Sequence, residues 1–170
     1  MNSPLKKPFS SIALCAEADK PLFMLEAASI LSRKYNSKIW LYCNDKDQLK
    51  YYKNIIDKDI ISGVKIMPSV SSGTDLYTTL SKLSEKELIK KSIEKEKQIG
   101  TTISNLMLSN RHLGRGYAVA GSRHPRSSYS ENINYLESIK IYLTVLYFWE
   151  EELKKKNITL ILNGGKELAV

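Results

Sequence analysis

Between Arg111 and Arg126 the chain gathers the side chains best suited to gripping an anion. Four of its five arginines, Arg111, Arg115, Arg123 and Arg126, lie there together with both histidines, His112 and His124. A guanidinium offers a planar fork of N–H donors that matches phosphate or carboxylate, and an imidazole gives or takes a proton near neutral pH. No Asp or Glu occurs from Lys97 to Ser130, so the segment has no acids of its own to neutralise it. Gly114, Gly116 and Gly121 allow a ligand close to main-chain N–H groups. Ser127, Ser128 and the start of the following helix are placed to complete an anion pocket. A plainer reading pairs Arg111 and Arg115 with helix carboxylates and makes His124-Pro125 a turn; the acid-free clustering weighs against it.

Other chemistries find less support. His112 and His124 have no neighbouring Cys, Asp or Glu to complete a zinc site. No serine stands in a GxSxG elbow. The Gly114-x-Gly116 spacing lacks a third glycine and does not follow a strand, so it is not a dinucleotide fingerprint. Cys15 and Cys43 sit singly in apolar runs, which predicts two buried thiols and a reducing setting.

The elements that must position these groups come from 170 residues, enough for one domain with a sizeable core. With 42% hydrophobic and 26% charged residues the composition is globular. There is no secretory h-region and no run of 18 apolar residues, so a cytoplasmic protein is expected. Of the formal net charge of +8, the lysine share is interleaved with acids and reads as solvated helix surface.

Residues 1–10 read as a flexible N-terminus. Ser11 to Ala16 is an apolar strand, after which Asp19 is a candidate N-cap and Pro21 falls in the first turn of a helix reaching about Tyr35. In that helix Leu22, Leu25, Ala28 and Ser32 form an apolar stripe widened by Phe23, Ala27, Ile30 and Leu31. Lys38 to Cys43 is a second strand, Asn44-Asp45 caps a polar helix to about Ile56, and Val64 to Met67 is a third strand stopped by Pro68. Alternating strands and helices at this spacing predict a parallel sheet with right-handed crossovers.

After a loop at Ser69 to Thr74, one long helical pattern runs through Leu88, Ser92, Ile99, Ile103 and Leu106. A second spans Asn132 to about Lys156; it is apolar almost all round in its middle and returns to solvent from Glu150 to Lys156. Thr159 to Leu162 is a fourth strand, and Asn163-Gly164-Gly165 is a turn beyond its carboxyl end. Open α/β sheets bind ligands outside the carboxyl ends of their strands, which brings in Glu17, Asp19, Asn163 and Gly164. Asp19 serves equally as a helix cap.

Ser109-Asn110-Arg111-His112-Leu113-Gly114-Arg115-Gly116, then His124-Pro125-Arg126-Ser127, an aromatic-rich helix and Thr159 to Gly164, resemble the N-terminal region of bacterial capsular and surface polysaccharide biosynthesis proteins. Those look like glycosyltransferases of the two-domain GT-B type. The resemblance covers Asn105 to Val170 well and the front of the chain only as a pattern. It implies a Rossmann-like domain, 1–170, forming the acceptor side of a cleft; the residues themselves place the Arg/His-rich region at 111–130 as a loop region expected to face the strand ends near Glu17 and Asn163. Its partners would be an anionic sugar or sugar-phosphate acceptor, a nucleotide-sugar co-substrate and a C-terminal domain or partner subunit, at the inner face of the membrane. The sheet then reads as the incomplete half of a GT-B enzyme, a fragment, split subunit or degenerate relative, from which turnover by this chain alone is not expected.

Under that reading Arg111, Arg115, Arg123 and Arg126, with Gly114, Gly116, Ser127, Asn163 and Gly164, hold the ligand. His124, His112 and Glu17 are the candidates for acid/base work. No bound cofactor and no metal are expected. The rival is a non-enzymatic module whose basic segment meets nucleic acid or an acidic membrane surface. Tyr117 and Tyr129 are available for stacking, but the basic residues crowd one region and are not spread along a face. A third reading is a structural subunit completed by a partner chain.

Overall fold

A computed structural model describes residues 9–15, 21–55, 59–68, 75–109 and 135–163. The chain divides into two compact units, Met1–Met67 with Trp149–Lys166, and Pro68–Phe148 with Glu167–Val170.

The first unit is an α/β layer structure. Strands β1 (Ser11–Cys15), β2 (Lys38–Cys43), β3 (Ile61–Ile66) and β4 (Ile158–Asn163) form one sheet in the order β3-β2-β1-β4, every neighbouring pair parallel. This is a Rossmann-like topology, as the alternation of strands and helices predicted. Period-2 alternation sorts the strand residues onto two faces. On one face Leu14, Ile39, Leu41, Cys43, Ile61, Val64, Ile66 and Leu162 pack against Met24, Leu25 and Ala28 of α1 (Pro21–Tyr35) and Leu49 and Tyr52 of α2 (Lys46–Ile55). The other face presents the alternate residues Ala13, Cys15, Trp40, Tyr42, Gly63 and Lys65.

Several local details differ from the sequence expectation. In α1 the stripe is narrower: Ala28 is buried, but Phe23 is 72% and Ile30 60% exposed. At 100° per residue these two lie more than a third of a turn from Ala28, on the solvent side. Strand β3 begins three residues earlier than Val64 and runs through Gly63. The register explains that glycine: Gly63 pairs with Trp40, and a Cβ at position 63 would stand 2.7 Å from Trp40 Cζ3. The small residue makes room for the indole. Asp45 caps α2 as expected, its Oδ1 accepting from the Gln48 N–H at 2.7 Å.

In the second unit the single long helical pattern before the Arg/His segment is three helices, α3 (Asp75–Ser81), α4 (Glu85–Ile99) and α5 (Ile103–Ser109). Ser84 starts α4 with a reciprocal capping box to Glu87, and Gly100 stops it in the left-handed region at φ 72°. Glu96 Oε1 then accepts from the Ile103 N–H at 2.8 Å, and Thr102 Oγ1 from the Asn105 N–H at 3.1 Å, which restarts the helix as α5. The core of this unit joins Leu80, Leu88 and Ile103 to Ile139, Ile141, Tyr142 and Leu143 of α6 (Tyr135–Lys156). Helix α6 contributes to both units, its residues from Trp149 onward belonging to the first.

Replacing Gly63 by Ala should overfill the space beneath Trp40 and lower the unfolding free energy by about 1–3 kcal/mol. The control Ser62→Ala, at an exposed neighbour, should change it little. Urea unfolding followed by tryptophan fluorescence checks both.

Candidate functional site

The sheet reverses its winding between β1 and β4. From β1 the chain moves outward through β2 to β3, then returns to place β4 on the other side of β1. Such a switch point opens a crevice at the carboxyl ends of the two central strands, because the following loops diverge to opposite faces. The last residues of these strands, Cys15 and Asn163, are register partners. In the sequence Glu17 and Asp19 follow β1, and Gly164 follows β4. The rim was legible from sequence; the adjacency of β1 and β4 was not.

Of the residues assigned to the site from sequence, Asn163 ends β4. Glu17, Asp19, Arg111, His112, Gly114, Arg115, Gly116, Arg123, His124, Arg126, Ser127 and Gly164 lie outside the described residues.

Within the first unit the same rim carries a polar row that the sequence reading did not single out. Cys15, Tyr42 and Lys65 are neighbours across β1, β2 and β3, one row nearer the carboxyl ends than Ala13, Trp40 and Gly63. Against this row stands Glu152 of α6, only 2% exposed although Glu150 to Lys156 was expected to face water. Its Oε2 accepts from the Tyr42 hydroxyl at 2.7 Å and lies 3.5 Å from Lys156 Nζ, while its Oε1 accepts from Lys65 Nζ at 2.5 Å. The two tryptophans frame the cluster: Trp149 lies 4.9 Å from the Tyr42 ring, and Lys156 Nζ sits 3.3 Å over Trp40.

Electrostatics follow from this geometry. Burial alone pushes the Glu152 carboxyl upward, but hydrogen bonds from Lys65 and Tyr42, with the Lys156 charge, outweigh it and hold the group below its ordinary 4.5. Burial, reinforced by the Glu152 charge, drives the Tyr42 hydroxyl well above its ordinary range, so Tyr42 stays a donor. Burial first, then the Asp45 charge, pushes the Cys43 thiol up to about 11, which leaves it a packed hydrophobe as expected. Cys15 is likewise buried. An ionised carboxylate and a protonated phenol do not exchange protons near neutrality. The cluster is built to hold charge in place.

The second unit carries a smaller arrangement of its own. Glu137 accepts from the Tyr77 hydroxyl and pairs with Lys140 at 2.7 Å, and Lys95, buried on α4, donates to Gln98 and lies 4.8 Å over the Tyr147 ring. These are intra-unit ties at helix faces. Among the described residues no group of three His, Cys, Asp or Glu could hold a metal ion, and no helix is long and apolar enough to cross a membrane.

Removing the buried carboxylate leaves Tyr42 and two ammonium groups without it, so Glu152→Ala should cost about 3–5 kcal/mol in chemical denaturation. The pH dependence has a fixed sign. Because the folded carboxyl titrates below its ordinary value, its stabilisation is complete above 4.5 and is lost as pH falls through the lower folded value. Glu152→Gln should lose this component of the acid slope, read as a smaller change in melting temperature between neutral and acidic buffers than the wild type shows.

Compared with protein-family models, with curated proteins and with solved structures, the chain matches none of them.

Proposed function

We propose that this chain is the acceptor-side domain of a glycosyltransferase-like protein for capsular or surface polysaccharide, and that it binds an anionic sugar or sugar phosphate. The observation that carries the reading is the parallel β3-β2-β1-β4 sheet with its switch point between β1 and β4, an arrangement that binds small ligands at the strand ends. Two sequence features support it: the acid-free Arg111 to Arg126 segment and the resemblance of Asn105 to Val170 to polysaccharide biosynthesis proteins. Arg111, Arg115 and Arg126 supply phosphate or carboxylate contacts. Transfer with inversion needs a base beside the acceptor hydroxyl, for which His124, His112 and Glu17 are the candidates. The nucleotide-sugar is assigned to a C-terminal domain or partner subunit, so turnover belongs to the assembled enzyme.

Calorimetric titration of the chain with glucose 1-phosphate, UDP-glucose and a short single-stranded oligonucleotide at two salt concentrations tests this. Sugar-phosphate binding that weakens about tenfold or more in Arg111→Ala or Arg115→Ala is expected, since a charged hydrogen bond contributes about 1.5–3 kcal/mol. Tight oligonucleotide binding with a steep salt slope, indifferent to the sugar ligands, would instead identify a nucleic-acid module.

A further inference from the structure

Helix α1 is apolar on the side it turns to water as well as on the side it packs. Among the described residues, Phe23 at 72% and Ile30 at 60% are the most exposed large apolar side chains. Partly buried Ala27 lies between them at steps of four and three residues, and exposed Lys34 takes the next step of four. That spacing is the seam of a helix pair, because alternate steps of three and four return to one side. The two flanks of the seam differ. At 100° per residue, Met24, packed on the sheet core, and partly buried Leu31 fall on one flank, while exposed Glu26 and Arg33 fall on the other. Neither Glu26 nor Arg33 has an ion-pair partner among the described residues. Arg33 is also the one arginine outside the Arg111 to Arg126 segment.

We propose that the outer side of α1 is a self-association surface, taken by a second copy of this chain as an antiparallel helix pair about a two-fold axis. Charge complementarity selects both the occupant and the direction. In an antiparallel pair like flanks meet, so Glu26 of each copy faces the flank that carries Arg33 of the other. With the axis midway between Ala27 and Ile30, Ala27 of each copy opposes Ile30 of the other, small against large, and Glu26 stands about 3 Å along the helix from the opposing Arg33. The attractive pair forms twice. A parallel pair would instead set Glu26 and Arg33 against the apolar flank of Met24 and Leu31. The seam spans only about two heptads, which gives a dissociation constant of roughly micromolar order. Exposed ion pairs add little strength, so Glu26 and Arg33 act chiefly by fixing partner and direction. The pairing is independent of the ligand assigned to the strand ends, so either proposal can fail alone.

Sedimentation velocity of the full chain over a concentration series tests this with the wild type, Glu26→Arg, Arg33→Glu, an equimolar mixture of those two variants, Ile30→Ser and, as a control for net charge, Lys50→Glu at an exposed position of α2. The wild type and Lys50→Glu are expected to dimerise alike. Each charge reversal turns two attractive pairs into two repulsive ones and should weaken its own dimer by about tenfold or more. The mixture restores both attractive pairs and should recover a heterodimer of near wild-type affinity. Ile30→Ser removes the seam and should leave a monomer. A wild type that stays monomeric to about 1 mM would overturn the proposal, as would a dimer indifferent to Ile30→Ser or to both charge reversals, or a mixture no stronger than its components. The mixture also controls for folding, since two misfolded variants would not re-form a dimer on mixing.

Discussion

A carboxylate withdrawn from water must be met by charge and donors, and at Glu152 that requirement organises the first unit. Leaving such a group unpaired in a low-dielectric interior costs several kcal/mol, more than any single aliphatic contact returns. Its partners come from three elements: Tyr42 from β2, Lys65 from β3 and Lys156 from its own helix. A shift of one residue in either strand would turn Tyr42 or Lys65 to the opposite face. The pairing thus specifies register as well as attachment. It also separates the faces of the sheet, one aliphatic and packed on α1 and α2, the other aromatic and charged.

That division bears on where a ligand is expected. The aliphatic face is closed by Leu, Ile and Val contacts with α1 and α2. The opposite face becomes more polar toward the carboxyl ends, from Ala13, Trp40 and Gly63 to Cys15, Tyr42 and Lys65. Strand-end crevices bind ligands because loops diverge there and main-chain groups are left open. Here a charged row borders the same rim. Tyr42, held protonated, and Glu152, held ionised, favour holding charge in place over proton transfer.

Much of the first unit was legible because its signals are local. The aromatic and aliphatic run Lys38 to Cys43, the cap at Asp45 and Pro21 at the start of α1 each follow from backbone preferences within a few residues. The breaks after Ser81 and Ile99 also had local signals, the Ser84/Glu87 capping box and Gly100, but apolar spacing continues across both breaks and reads as one helix. Glu152 was illegible for a different reason. It stands in a run of three glutamates before a lysine stretch, and only the position of β2 and β3 decides which of the three is buried. Even so, Trp149, Glu152 and Lys156 fall on one helical stripe, and their aromatic and charged side chains mark a face that packs on the sheet.

The Arg/His segment belongs to a third category, in which composition speaks and packing does not. Its meaning depends on fixed guanidinium geometry and on the lack of nearby acids, both properties of the residue string. Lys65 differs in that its significance comes wholly from tertiary structure, since as a sequence letter it is one lysine among many. A guanidinium offers planar, directional contacts, whereas the Lys65 ammonium is a point charge paired to a buried carboxylate. The first suits recognition of a phosphate or carboxylate by shape. The second suits the neutralisation of a buried carboxylate, which Lys156 and Tyr42 share.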